Sequence, residues 1–243
     1  MTRVPEMLKN PIFVALALIV LLLFAGEMLS PGFASPTQIM RLLIVAALLG
    51  IVAAGQNLVI LGGREGIDLS VGGVVSLAAI IAGNLMDGQN AGIPLAILGC
   101  IAAGALIGLI NGVGVTLMRI PPLVMTLGML GVLQGLLVVI RQGIPSGRAA
   151  PGLSQFVTKP ILLGLPGIIW LWVLIGLFLA FLLSRTVYGH RIYAIGSNEQ
   201  AARMAGVPVA AIRISLFALS GVFASIAGIC LLGYSGSSFA NVG

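Results

Sequence analysis

Seven apolar runs, each about long enough to cross a bilayer, dictate what this chain can fold into. They fall near residues 11–29, 39–61, 67–86, 93–117, 123–140, 161–183 and 211–232. A helix needs about 20 apolar residues to cross the hydrocarbon. An open sheet in lipid would leave backbone N–H and C=O groups unpaired, so runs of this length are expected to be helices. The expected fold class is all-α: a polytopic transmembrane helical bundle of about seven spans, forming a single domain over residues 1–243.

Composition agrees. Hydrophobic residues make up 59% of the chain and charged residues 7%, where a soluble domain carries about a quarter charged. The 34 glycines suit helices that pack closely without a solvent-driven force between them. The net charge of +6 is therefore read as a report of membrane orientation and not as a nucleic-acid footprint. With a cytoplasmic N-terminus, one side collects Arg3, Lys9, Arg64, Arg119, Arg185, Arg191, Arg203 and Arg213, and the other Arg41, Arg141, Arg148 and Lys159. That imbalance places the polar loop 185–210 in the cytoplasm and Tyr234–Gly243 outside. Arg3 and Lys9 ahead of the first run resemble a signal peptide, but the run is long and lacks a small-x-small cleavage site, so a retained span is expected.

Several chemistries are excluded. The only lysines are Lys9 and Lys159 and no GxxxxGK[ST] sequence occurs, so the chain has no P-loop of its own. His190 is the sole histidine, which rules out multi-histidine metal sites and argues against a Ser-His-Asp site. Cys100 and Cys230 lie in apolar runs and read as buried free thiols. No catalytic residue, metal or cofactor is expected, and the absence of paired membrane carboxylates or an arginine ladder argues against a proton pump or voltage sensor.

Polar features inside the runs are the next signal. Residues 62–73 read GGREGIDLSVGG, a glycine-rich break with three ionisable residues. Asp68 is placed to cap the third span while Arg64 and Glu65 stay hydrated, and a direct substrate role is compatible with capping. Glu27 reaches the headgroup region and carries no function. Gly104, Gly108 and Gly112 stand four apart in the fourth span, with Gly131 and Gly135 in the fifth, and such ridges mark close helix contacts within a subunit or between two. Gln56, Asn57, Asn84, Asn111 and Gln134 either bond across helices or face a wet pathway. Pro121 and Pro122 end one helix and start the next, and the loop 141–160 is expected to be irregular.

The one long polar insertion of the second half is 189–206, GHRIYAIGSNEQAARMAG. Ser197 as N-cap and Gln200 three residues on make a capping box. Ala201, Ala202 and Ala205 favour helix, Gly206 suits the position just past its end, and Pro208 stops continuation. Residues 189–196 then form an approach to a helix of about two turns over 197–206. It either fits a groove on a partner or covers the bundle's end.

Ala201-Ala202 with Gly206 four residues on resembles the EAA motif of permease subunits in ATP-binding-cassette importers, and the run Thr186 to Glu199 is similar to its form in the monosaccharide branch, which takes in ribose, xylose, arabinose and autoinducer importers. Further similar runs are Gly66 to Gly72, Gly108 to Gly112, and Ile120 to Gly128, in the family's order and across most of the chain. Gln200 and His190 depart from the usual Glu and Arg. The resemblance implies an inner-membrane transport subunit without its own nucleotide site. Its implied partners are cytoplasmic ATPase subunits, a second permease as homo- or heterodimer, a periplasmic solute-binding protein and the lipid membrane. The implied ATPase-coupling residues are Gly196, Ser197, Asn198, Glu199, Ala201, Ala202, Arg203 and Gly206. Candidate substrate-pathway residues are Asp68, Ser70, Asn57, Asn111, Thr126 and Gln134. Relatives continue past residue 243 with further spans, so a C-terminal truncation is expected. A branched-chain amino acid permease and a secondary carrier or channel without an ATPase are the rival readings.

Overall fold

A computed structural model describes residues 10–63, 66–141 and 147–237. The expectations placed on Arg3, Lys9, Arg64, Glu65 and residues 238–243 lie outside the described residues. The chain divides into two compact units, 1–45 and 46–243.

In the first unit, α1 spans Pro11–Leu29. Asn10 caps it through an Oδ1 that accepts Ile12 N–H at 3.0 Å, and Pro11 sits where a missing N–H costs nothing. None of its residues is buried within the unit, and its length and all-round apolar character are those of a membrane span. Glu27 has more to do than reach the headgroups: its two carboxylate oxygens accept Gly32 N–H at 2.9 Å and Ala34 N–H at 2.7 Å. It thereby shapes the short turn into α2, Pro36–Leu61, which runs on into the second unit.

The second unit is built around α3 (Val71–Met86), α4 (Ile93–Thr116) and α10 (Val209–Ser235). Every residue of α3 from Gly73 to Ile80 is buried. Gly104 and Gly108 on α4 face α10 so closely that a Cβ on either would collide with α10 backbone, and Gly221 returns the same constraint toward Gly104. Gly228 likewise lies against Val75 and Ala78 of α3. Glycine here replaces side-chain interdigitation with backbone contact, the device helices use in lipid.

Six helices of the described residues are long and apolar enough to cross a membrane: α1, α2, α4, α5 (Pro122–Arg141), α7 (Gly167–Arg185) and α10. The expected third span, 67–86, is instead the 16-residue α3, because Asp68 and Ser70 spend their polar groups on the break before it. The sixth starts at Gly167 and not near 161. Pro160–Leu162 (β1) and Leu165–Pro166 (β2) pair as a small antiparallel hairpin, turned by Leu163 at φ +52° and Gly164 at φ +75°. The loop expected to be irregular holds α6, Pro151–Thr158, whose Leu153 and Val157 sit one turn apart and bury against Gly233 of α10. The rest of the polar insertion is α8, Val187–Ser197, and α9, Glu199–Met204. The chain is a multi-pass membrane protein.

Candidate functional site

The polar insertion is helical nearly throughout. Thr186 starts α8 by accepting Gly189 N–H at 3.1 Å on its Oγ1, and a Cβ on Gly189 would strike the last turn of α7. Ile192 and Ile195 form α8's buried face. Residues 189–196, expected as an approach segment, are thus a helix in their own right. Ser197 is its last residue and donates Oγ to Ala194 O at 3.0 Å, so it does not cap α9. An N-cap needs extended backbone, and Asn198 has it, at φ −156° and ψ 100°, with Oδ1 accepting Ala201 N–H at 3.0 Å. The capping box on Ser197 and Gln200 is corrected to a single cap on Asn198.

At the other end Gly206 takes φ +78°. Its N–H reaches Arg203 O and Val207 N–H reaches Ala202 O, both at 3.0 Å, the pair of bonds that closes a helix through a left-handed residue. Between these stops α9 has six residues, shorter than the expected two turns, with only Ala202 buried. Ala201, Met204 and Ala205 face outward. A cleft of about 420 Å³ lies beside it, lined by Gly196, Ser197, Asn198, Gln200 and Arg213 among others.

Glu199 is the electrostatic centre. Arg203 Nη2 donates to its Oε1 at 2.6 Å and Arg213 Nη2 to its Oε2 at 2.7 Å. The Arg203 hydrogen bond, aided by the Arg213 charge and opposed by partial desolvation, holds the Glu199 carboxyl below the usual carboxylate range. Arg213 also donates Nε to Gly62 O at 3.2 Å, at the end of α2. Glu199 and Arg203 are among the expected coupling residues, whereas Arg213 and Gly62 are members the sequence did not single out, Arg213 counting only toward orientation.

A second constellation lies deeper. Asp68 is 2% exposed. Its Oδ1 accepts Ser70 N–H at 3.0 Å and Ser70 Oγ–H at 2.6 Å, and its Oδ2 accepts Ser220 Oγ–H at 3.0 Å. Asn111 Nδ2 donates to Ser70 Oγ at 2.8 Å. The Gln56 amide pairs with both backbone groups of Asp68, at 3.2 and 3.1 Å, in the orientation that satisfies both. Asp68 therefore bonds the N–H two residues on and a serine of α10; the capping expectation is replaced by a network joining α2, the break, α4 and α10. A carboxylate this buried stays only where donors surround it.

The candidate pathway residues thus separate. Asp68, Ser70 and Asn111 belong to one network, with Gln56 and Ser220 as the members not singled out. Thr126 is buried and turns its hydroxyl back to Pro122 O at 2.8 Å. Asn57 and Gln134 are exposed on α2 and α5. Of the glycines, Gly104, Gly108 and Gly112 meet α10, while Gly131 and Gly135 have no described atom within 4 Å of a Cβ.

Comparison with known proteins gives consistent matches. The family described as branched-chain amino acid transport system / permease component matches residues 38–243. The autoinducer 2 import system permease protein LsrC of Escherichia coli (strain K12 / DH10B) is 36% identical over 223 residues, 91% of this chain and 64% of that protein. LsrC of Shigella flexneri is 35% identical over the same extent, and LsrC of Salmonella paratyphi B is 34% identical over 216 residues, 88% of this chain and 60% of that one. The chain thus spans a little under two thirds of the length of these relatives. No solved structure matches significantly. With the family's match covering most of its length, the chain belongs to the branched-chain amino acid transport system permease-component family.

Proposed function

We propose that this chain acts as one permease domain of an ATP-driven importer. Its spans contribute to the translocation pathway for a monosaccharide or related polyol-like solute, and α9 receives the push of cytoplasmic ATP-binding-cassette ATPases. A second permease completes the pathway and a periplasmic binding protein delivers the solute. The chain itself hydrolyses nothing. It sits in the bacterial inner membrane with its N-terminus and α9 on the cytoplasmic side.

The observation that carries this reading is α9 itself, a six-residue helix with a defined cap at each end and an outward face of small and flexible side chains, Ala201, Met204 and Ala205. That similar relatives are autoinducer 2 import permeases supports a sugar-like solute over the branched-chain amino acids of the family description. Nucleotide-driven closure of the ATPases would move two such helices together and rock the bundles as rigid bodies between inward and outward access.

Gly206→Val tests the role of α9. A β-branched residue is strongly disfavoured at φ +78°, so the closing turn of α9 is lost while the spans are untouched. Membrane insertion is expected to persist and ATP-driven uptake to fail. Unchanged uptake in this variant overturns the assignment.

A further inference from the structure

A helix of six residues cannot hold itself together in isolation, and α9 buries only Ala202. Charge supplies the missing anchor. Glu199 carries two arginines: the Arg203 side chain is 56% exposed, whereas Arg213 is 25% exposed. The Arg213 limb is the shielded one, where salt screens least. Its guanidinium bridges two elements, donating to Glu199 and to Gly62 O. That carbonyl lies at the C-terminal end of α2, where carbonyls lack helical partners and carry partial negative charge. A Cβ on Gly63 would come within 2.7 Å of Arg213 Nη2, so the approach to α2 is kept open for the fork.

From Arg213 the same face of α10 continues inward. Leu216 packs against Gly62. Ser220, two turns beyond Arg213 and about 10 Å along the axis, donates to Asp68. One rigid helix face thus holds Glu199 and the end of α2 at one point and the Asp68–Ser70–Asn111 network at another. The break between α2 and α3 is gripped from both.

We infer that Arg213 is a positioning residue that transmits displacement of α9 to the buried Asp68 network through α10, an inference that rests on α9 being where the ATPase acts. Arg213 touches no solute in this role. Lysine cannot replace it, because a single ammonium lacks the planar fork that reaches both acceptors.

The linkage can be tested in the full chain in lipid nanodiscs, by amide hydrogen exchange at Gly66, Asp68 and Ser70. All three amides are bonded within the break, to Gly63 O, the Gln56 amide and Asp68 Oδ1. Glu199→Gln and Arg213→Gln are each expected to speed exchange there by about fivefold. The double variant should add nothing beyond the larger single effect, since both cut one link. Arg213→Lys should behave as Arg213→Gln, and Gln200→Ala, exposed on α9 but outside the link, should leave the break unchanged. Unaltered exchange in Glu199→Gln, or additive effects in the double variant, overturns the inference. Should Arg213→Gln fail to insert, Glu199→Gln decides alone, because it leaves the Arg213 bond to Gly62 in place. In proteoliposomes with the partner ATPase, Glu199→Gln is expected to lower solute moved per ATP about tenfold; an undiminished ratio overturns the inference. A wild-type chain without ATP-driven uptake would instead sink the functional reading, and the exchange data would still decide the linkage.

Discussion

Replacing Gly108 by alanine should loosen the centre of the second unit, and the structure sets how much. A Cβ at this position would lie 2.7 Å from Ala218 Cα and 2.7 Å from Phe217 C, where carbon atoms prefer about 3.5–4.0 Å. These two atoms and the still nearer Phe217 O are all backbone, so no side chain can swing aside, and α4 and α10 must part by about 1 Å. A gap of that size forfeits about a quarter to a half of each contact along the seam, and overpacking of this kind costs about 1–3 kcal/mol. Alanine also gains about 1 kcal/mol of helix propensity over glycine, which would mask part of the cost. Gly131→Ala in α5 removes that ambiguity, because its Cβ meets no described atom within 4 Å and it gains the same propensity. Reversible unfolding in mixed micelles should therefore place Gly108→Ala about 1–3 kcal/mol below Gly131→Ala. Two variants within about 0.5 kcal/mol of each other would refute the close seam.

Asp68→Ala should destabilise the chain by about 3 kcal/mol in the same assay, because it removes the acceptor of the buried Ser70 and Ser220 hydroxyl protons at about 1–3 kcal/mol each, and Asp68→Asn, which keeps an acceptor, should cost less. The Glu199 tie should be pH-dependent. Its folded-state pKa lies below the ordinary 4.5, so the stability it contributes is present above about that pH and is lost as pH falls through the lower folded value. The melting-temperature difference between wild type and Glu199→Gln should therefore hold steady above pH 4.5 and shrink below it.

Hydrophobic run length made the membrane helices legible, because lipid leaves backbone no other way to pair its own groups. Run length misjudged α3, since an apolar run does not reveal that Asp68 and Ser70 at its head are spent on a network with α4 and α10. It also missed the hairpin before α7, where Ile161 and Leu162 are as apolar as any span and only the Leu163–Gly164 turn separates them from it. In the polar insertion the glycine at 206 marked the stop of α9 correctly. The start was misplaced at Ser197: Asn198 is a nearly equal cap, and it takes the role because α8 continues through Ser197. Arg213 and Ser220 stand seven apart on α10 and so share a face, a spacing visible beforehand. Their partners Glu199, Gly62 and Asp68 are 14, 151 and 152 residues away, and only tertiary packing brings them together.

The central claim is that ATP hydrolysis on a partner, delivered at α9, drives solute through this bundle. Reconstitution in proteoliposomes with the cytoplasmic ATPase, a second permease and the solute-binding protein tests it most directly. ATP supplied on the ATPase side should drive accumulation of a monosaccharide-type solute with no ion gradient present, and omission of the ATPase should abolish it. Uptake that follows an imposed ion gradient and proceeds at the same rate without the ATPase would contradict the account.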